Sequence, residues 1–127
     1  MFKRIDHVEI IPENLEKTIK FYTEIIGFKL KHRQKVEAGP LQEVIYLTLN
    51  GTTIELLSVK EPKQVSKEQW QVGYRGIALE VEDMGKAIEY LKTKKITITF
   101  GPMDVGNSIR AEIKDPNKLP IELRQWK

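Results

Sequence analysis

The sequence predicts an α+β fold built from two similar halves. The tripeptide Ile-Glu-Leu occurs at residues 54–56 and again at 121–123. Short alternating segments rich in β-branched residues recur in both halves and are typical of strands. One segment with helical spacing follows the first strand of each half. Each half therefore predicts the order β-α-β-β-β.

The first half predicts four strands and one helix. Residues 5–11 alternate and form the first strand, which Pro12 ends. Asn14 is a suitable N-cap for the helix, and Gly27 is a suitable residue to end it. Between them, apolar residues recur at helical spacing: Leu15, Ile19, Tyr22 and Ile26. Residues 28–33, 43–49 and 52–59 predict strands, the last two joined by an Asn50-Gly51 turn.

The second half repeats this order. Residues 74–81 predict a strand, Asp83 caps a helix, and residues 95–99, 108–114 and 119–125 predict strands. Gly101-Pro102 is expected to break the chain between strands. We expect one domain over residues 1–127, made of modules 1–59 and 74–127 that share a core and are joined by segment 60–73. Trp70 and Val72 in that segment are expected to pack on the sheet or on a partner chain.

Composition excludes several classes of function. The 127 residues include no cysteine, which excludes disulfides, thiolate metal sites and cysteine nucleophiles. The net charge of +3 is spread over scattered lysines without interleaved aromatic residues, so no nucleic-acid partner is expected. No apolar run approaches about 18 residues, so no membrane span is expected. The N-terminal residues lack the apolar region of a signal peptide, so the predicted location is cytoplasmic.

Period-two alternation places polar residues on one face of the first and last strands of each half. The residues in the first half are His7, Glu9 and Glu55, and the equivalent region of the second half contains Gly76, Ala78, Glu122 and Arg124. The opposite faces are apolar and are expected to hold the helices. The polar faces would then line the concave side of a curved sheet.

One imidazole and two carboxylates on such a face suit a divalent ion. Singly, His7, Glu55 or Glu122 is more typical of an ordinary polar surface residue than of a ligand. Together, and at equivalent repeat positions, they predict a site for Mn, Ni, Co, Mg or Zn. Three protein ligands leave coordination positions open for water and substrate.

The chain resembles the vicinal oxygen chelate superfamily, which contains glyoxalase I, bleomycin resistance proteins and extradiol dioxygenases. The resemblance covers nearly the whole chain and is carried by five segments, namely residues 5–8, 14–28, 50–56, 76–83 and 115–123. It implies two βαβββ modules that form a cupped mixed sheet around a central cavity, with helices on the outside. It also implies a homodimer.

In the glyoxalase-like members that this chain resembles, four equivalent strands each supply one metal ligand. Carried over, these positions are His7, Glu55, Gly76 and Glu122, and glycine at position 76 offers no side-chain ligand. Glyoxalase I usually carries an arginine for glutathione where this chain has Ile11. Glutathione is therefore not the expected substrate.

Two functions fit these residues. In the first, a divalent ion held by His7, Glu55 and Glu122 acts as a Lewis acid in a lyase, isomerase or transferase acting on a small molecule. Glu122 is then also the candidate general base, and Glu9 and Arg124 orient substrate.

The second function is a metal-free small-molecule binding protein of the antibiotic-binding type. Gly76 would enlarge its cavity, and Tyr46 and Tyr74 would stack on a planar ligand. Whether the protein is an enzyme stays open at this point. An extradiol dioxygenase requires two histidines and a carboxylate, and Gly76 removes one of those histidines.

Overall fold

The structure is a computed structural model that describes residues 1–127. Contacts divide the chain into a first unit, residues 1–64, and a second unit, residues 65–127. The first unit contains β1 (Val8–Ile10), α1 (Leu15–Lys20), β2 (Lys29–Ala38), β3 (Leu41–Leu49) and β4 (Thr52–Val59). The second contains β5 (Ile77–Glu80), α2 (Met84–Thr93), β6 (Phe100–Asp104), β7 (Ser108–Lys114) and β8 (Pro120–Trp126).

Each unit holds one four-stranded mixed sheet, and the two sheets have the same topology. The strand order is β1-β4-β3-β2 in the first unit and β5-β8-β7-β6 in the second. The first strand of each unit pairs in parallel with the last, and the other pairs are antiparallel. The predicted α+β fold with two βαβββ modules is confirmed.

The helix of the first unit forms as its sequence predicts. The Asn14 side chain accepts a hydrogen bond from the backbone N–H of Lys17, which satisfies a free helical donor. The helix continues as a π-helical segment, Phe21–Ile26, and ends at Gly27 with a φ of 109°. That positive φ is readily adopted by glycine. The strands beneath bury a compact apolar group, Ile45, Leu47 and Leu56.

The second unit is built in the same way. Asp83 caps α2 by accepting a hydrogen bond from the Lys86 N–H. The helix buries Met84, Ile88 and Leu91, and the sheet buries Ala111, Ile113, Ile121 and Leu123. In both sheets the apolar face of the Ile-Glu-Leu repeat is thus the buried one, and the glutamate points to the other face.

Two details of the second unit differ from the sequence prediction. Residues 95–99 do not form a strand, because Lys95 has a φ of 60° and the N–H of Ile96 donates to Leu91 O at the end of α2. The strand begins instead at Phe100 and includes Gly101-Pro102, which the sequence analysis took as a break. β6 is an edge strand, and its register shifts between Phe100 and Met103, so a residue without an N–H is accommodated there.

The segment between β4 and β5 contains neither helix nor strand. Trp70 is 82% exposed, and its ring lies 5.2 Å from the guanidinium carbon of Arg75. Val72 is fully exposed. These two side chains therefore do not pack on the sheet, since the Trp70 ring lies beside a neighbouring cation and not among apolar residues. Packing on a partner chain stays a prediction. No helix in the structure is long and apolar enough to cross a membrane.

Candidate metal centre

Four polar side chains form a row across the first sheet. Glu9 is the register partner of Glu55, Glu55 is that of Tyr46, and Tyr46 is that of His32. Register partners on adjacent strands place their side chains on the same face of a sheet. His7 lies two residues before Glu9 and so points to this face as well. The row and His7 therefore bring two carboxylates, a phenol and two imidazoles to one face of a single unit.

His7 and the two glutamates are close enough to share one ion. The Nε2 atom of His7 lies 2.9 Å from Glu55 Oε2 and 3.4 Å from Glu9 Oε1. One ligand atom from each of the three residues lies within 4.8 Å of the other two. Two atoms each about 2.1 Å from an ion are about 3.0 Å apart in octahedral and about 3.4 Å apart in tetrahedral geometry. The His7–Glu55 and His7–Glu9 separations match these values, and the two carboxylates lie within 4.8 Å of each other.

The imidazole of His7 is held from its other side. Its Nδ1 lies 2.9 Å from Asp6 Oδ2, and this hydrogen bond is the main reason why the pKa of His7 is raised. With Nδ1 directed at Asp6, Nε2 faces Glu9 and Glu55. A carboxylate on the second nitrogen of a histidine is a common support for metal ligands.

Glu55 is a buried carboxylate without a cationic side chain. It is 7% exposed, and its only ion-pair partner within 4.0 Å is His7. Its negative charge is also the main reason why the pKa of Tyr46 is raised. A buried carboxylate whose only ionic partner is an imidazole is incompletely compensated, and a divalent cation beside Glu55 would add the missing positive charge.

Glu122 occupies the equivalent strand position in the second unit, but its surroundings differ. Its Oε1 lies 2.8 Å from the terminal nitrogen NH2 of Arg124 and 3.0 Å from Nε of Arg110. The first contact is a hydrogen bond. The second is electrostatic only, because the Nε–H of Arg110 is not aimed at the carboxylate and has no hydrogen-bond partner. Glu122 is therefore held between two guanidinium groups.

These ion pairs extend into an arginine chain, defined by Arg75, Glu112, Arg110, Glu122 and Arg124. Glu112 contacts both Arg75, at 3.0 Å, and Arg110. Each guanidinium also lies 5.0–5.3 Å from the centre of an aromatic ring, respectively Trp70, Phe100 and Trp126. Ion pairs and stacking together hold the side chains on this face of the second sheet in place.

Position 76 leaves no room for a ligand. A Cβ atom built on Gly76 would overlap the carbonyl oxygen of Pro120 on β8. Glycine is needed here for space and not for an unusual φ. Tyr74, two residues earlier, is fully exposed.

The structure thus brings together four of the predicted site residues: His7, Glu9, Glu55 and Tyr46. Glu122 and Arg124 contact each other in the second unit. The sequence analysis did not single out Asp6, His32 or Arg110. Two signals were present in the sequence, namely the position of Asp6 directly before His7 and the position of His32 on a predicted strand. The pairing of His32 with Tyr46, however, requires the strand register, which the sequence does not supply.

Comparison with known proteins identifies the family. The sequence profile of the Glyoxalase/Bleomycin resistance protein/Dioxygenase superfamily matches residues 4–123. The chain is 28% identical to a lactoylglutathione lyase of Neisseria meningitidis over 98% of its own length and 91% of that protein. It is 27% identical to a lactoylglutathione lyase of Arabidopsis thaliana, of which it spans 44% while matching over 97% of its own length.

A solved structure leads to the same family. The glyoxalase family protein of Enterococcus faecalis superposes with a TM-score of 0.82 and 25% identity, covering 97% of this chain and 98% of that one. The profile match, the two βαβββ modules and this superposition agree. The chain belongs to the Glyoxalase/Bleomycin resistance protein/Dioxygenase superfamily.

Proposed function

We propose that this protein is a metal-dependent enzyme of glyoxalase type, a lyase, isomerase or transferase that acts on a small molecule. The observation that carries the proposal is the Glu55 carboxylate, which is buried beside His7 Nε2 and has no lysine or arginine partner. The relatives named lactoylglutathione lyase support the same class of chemistry.

His7 and Glu55 would hold the ion, and its chemistry would be that of a Lewis acid that polarises substrate oxygen atoms. Asp6 keeps the imidazole of His7 in place through Nδ1. Tyr46 is the register partner of Glu55 and lies beside it on the same face of the sheet. These contacts orient the two ligands before any ion or substrate binds, which is the preorganisation that a catalytic centre requires.

The substrate is proposed only as a class. Glutathione is disfavoured, because Ile11 stands where glyoxalase I usually carries an arginine. Small molecules with neighbouring oxygen atoms that can bind one ion fit the chemistry of the site best. A homodimer and a cytoplasmic location stay predictions of the sequence, and light scattering of the purified protein tests the dimer.

Metal analysis tests the proposal. Protein purified without chelators and offered Mn²⁺, Co²⁺, Ni²⁺ and Zn²⁺ should retain about one ion per chain. His7→Ala should abolish retention. His32→Ala is the matched control, because His32 is the only other histidine and lies outside the cluster of His7, Glu9 and Glu55, so retention should be unchanged. Less than about a tenth of an equivalent of every ion would favour the metal-free binding protein instead.

A further inference from the structure

We infer that Glu9, and not Glu122, is the third protein ligand of the metal centre, so that the first unit alone supplies the ligands. This inference rests on the proposed metal dependence. Glu9 then binds the metal and not the substrate that the sequence pattern predicts for it, and Glu122 is not a ligand.

Glu9 lies close enough to His7 and Glu55 to bind the same ion, and no lysine or arginine holds it elsewhere. It is the register partner of Glu55, and its Oε1 lies 3.4 Å from the same His7 nitrogen that contacts Glu55. Its side chain is 58% exposed and has no lysine or arginine partner, so rotation toward an ion breaks no strong ion pair. The resulting set of one imidazole and two carboxylates is the same chemistry that Glu122 would have completed.

Glu122 has the opposite properties. Both guanidinium groups that hold it are partly buried, with Arg110 and Arg124 side chains 28% and 23% exposed. If Glu122 turned away to bind an ion, these cations would lose their carboxylate at a site where unpaired charge is costly. They would also repel a dication brought close to Glu122.

The surroundings of Gly76 also argue against a metal ligand from the second unit. The carbonyl oxygen of Pro120 fills the space that any side chain at position 76 would need. Of the four positions that the family resemblance marks as ligands, two in the second unit are therefore disabled, one by sterics and one by ion pairing. Glu9 replaces a lost ligand from within the first unit.

Isothermal titration with Mn²⁺ and with Co²⁺ tests the assignment. Glu9→Gln should weaken binding by at least about tenfold and change the visible absorption spectrum of the Co²⁺-loaded protein. Glu122→Gln should bind both ions within about twofold of the wild type. Because Glu122→Gln leaves two guanidinium groups unpaired and can impair folding, the double variant E122Q/R124L is the second probe, since it removes one charge of each sign.

The outcomes separate this inference from the proposed function. If the wild type binds neither ion, both fail. If the wild type binds and Glu9→Gln binds equally well, only the assignment of Glu9 is overturned. A loss of more than about tenfold in a folded E122Q/R124L protein overturns the exclusion of Glu122, whatever the Glu9 variant does.

Discussion

The two units share a backbone plan but treat the same glutamate in opposite ways. Glu55 in the first unit and Glu122 in the second occupy the same position of the Ile-Glu-Leu repeat. Glu55 is buried with the imidazole of His7 as its only ion-pair partner, whereas Glu122 lies between two guanidinium groups. The comparison teaches that a repeat conserves the geometry of a site without conserving its charge balance.

The difference comes from two neighbouring positions. Leu57 and Val44 are register partners next to Glu55, and the equivalent partners in the second unit are Arg124 and Arg110. Two apolar side chains in one sheet are thus two arginines in the other. The first sheet therefore offers no arginine to Glu55, whereas the second sheet supplies two arginines to Glu122.

Among variants that test this difference between the units, the largest change in stability is expected at Glu122. Glu122→Gln should lower the free energy of unfolding by about 3 kcal/mol at pH 7, because two partly buried guanidinium groups lose their carboxylate. Urea denaturation measures the change. The control E122Q/R124L should recover at least half of the loss, and equal destabilisation by both variants would show that the ion pairs contribute little.

A smaller loss is expected at Gly76. Gly76→Ala should lower the free energy of unfolding by about 2 kcal/mol, because the added Cβ overlaps the Pro120 carbonyl oxygen and the backbone must shift. The same denaturation experiment measures it. Gly85→Ala is the matched control, since a Cβ there meets only ordinary contact distances. A neutral Gly76→Ala variant would reopen position 76 to a side chain.

The third prediction has the opposite sign. In metal-free protein, Glu55→Gln should raise the free energy of unfolding by about 1 kcal/mol, because it removes a buried charge that has no lysine or arginine partner and only the imidazole of His7 beside it. Adding ion at about 100 times its dissociation constant should stabilise the wild type by about 2.7 kcal/mol and the variant much less. Thermal melts with and without ion test both statements, and destabilisation of the metal-free variant would contradict them.

The smallest change in stability is expected on the helix-covered face of the first sheet, where the carboxylate of Glu43 forms an ion pair with an arginine. Arg33 contacts Glu43 and also Glu16 of α1, and its hydrogen bond lowers the pKa of Glu43. Arg33→Gln should lower the free energy of unfolding by about 0.5 kcal/mol at neutral pH. A lowered carboxyl pKa stabilises the fold above its ordinary value of 4.5, and this is lost as the pH falls through the lowered pKa.

Denaturation of the wild type and Arg33→Gln between pH 7 and pH 3 checks this sign. The two curves should converge as the pH falls. A difference that persists unchanged at acidic pH would mean that Arg33 acts through packing and not through charge.

The sequence was sufficient for the fold and for four of the residues that lie together at the candidate site. Alternation and residue type were enough to mark His7 and Glu55, because a strand fixes which side chains share its face. Arg124 was predicted on the same face as Glu122, but the approach of Arg110 was not, since Arg110 reaches Glu122 from a neighbouring strand and the pairing depends on register. The steric block at Gly76 was hidden for the same reason, because Pro120 approaches it only in three dimensions.

The strand predicted over residues 95–99 shows another limit. Its alternating residues are compatible with a strand, but Lys95 adopts a positive φ to end α2, and a local helix stop took precedence over the pattern. Such a conformation is unusual for lysine, so nothing in the residue types indicated it.

The short edge strand β1 has a consequence for motion. It contributes Glu9 and lies directly after His7, yet only three residues pair it with β4. An ion shared by Glu9 and Glu55 would tie the edge strand to its neighbour, as a cross-link between two chain segments does. Backbone amides of residues 8–10 should then exchange with solvent more slowly as the ion concentration rises, so that the edge of the sheet itself reports occupancy of the centre.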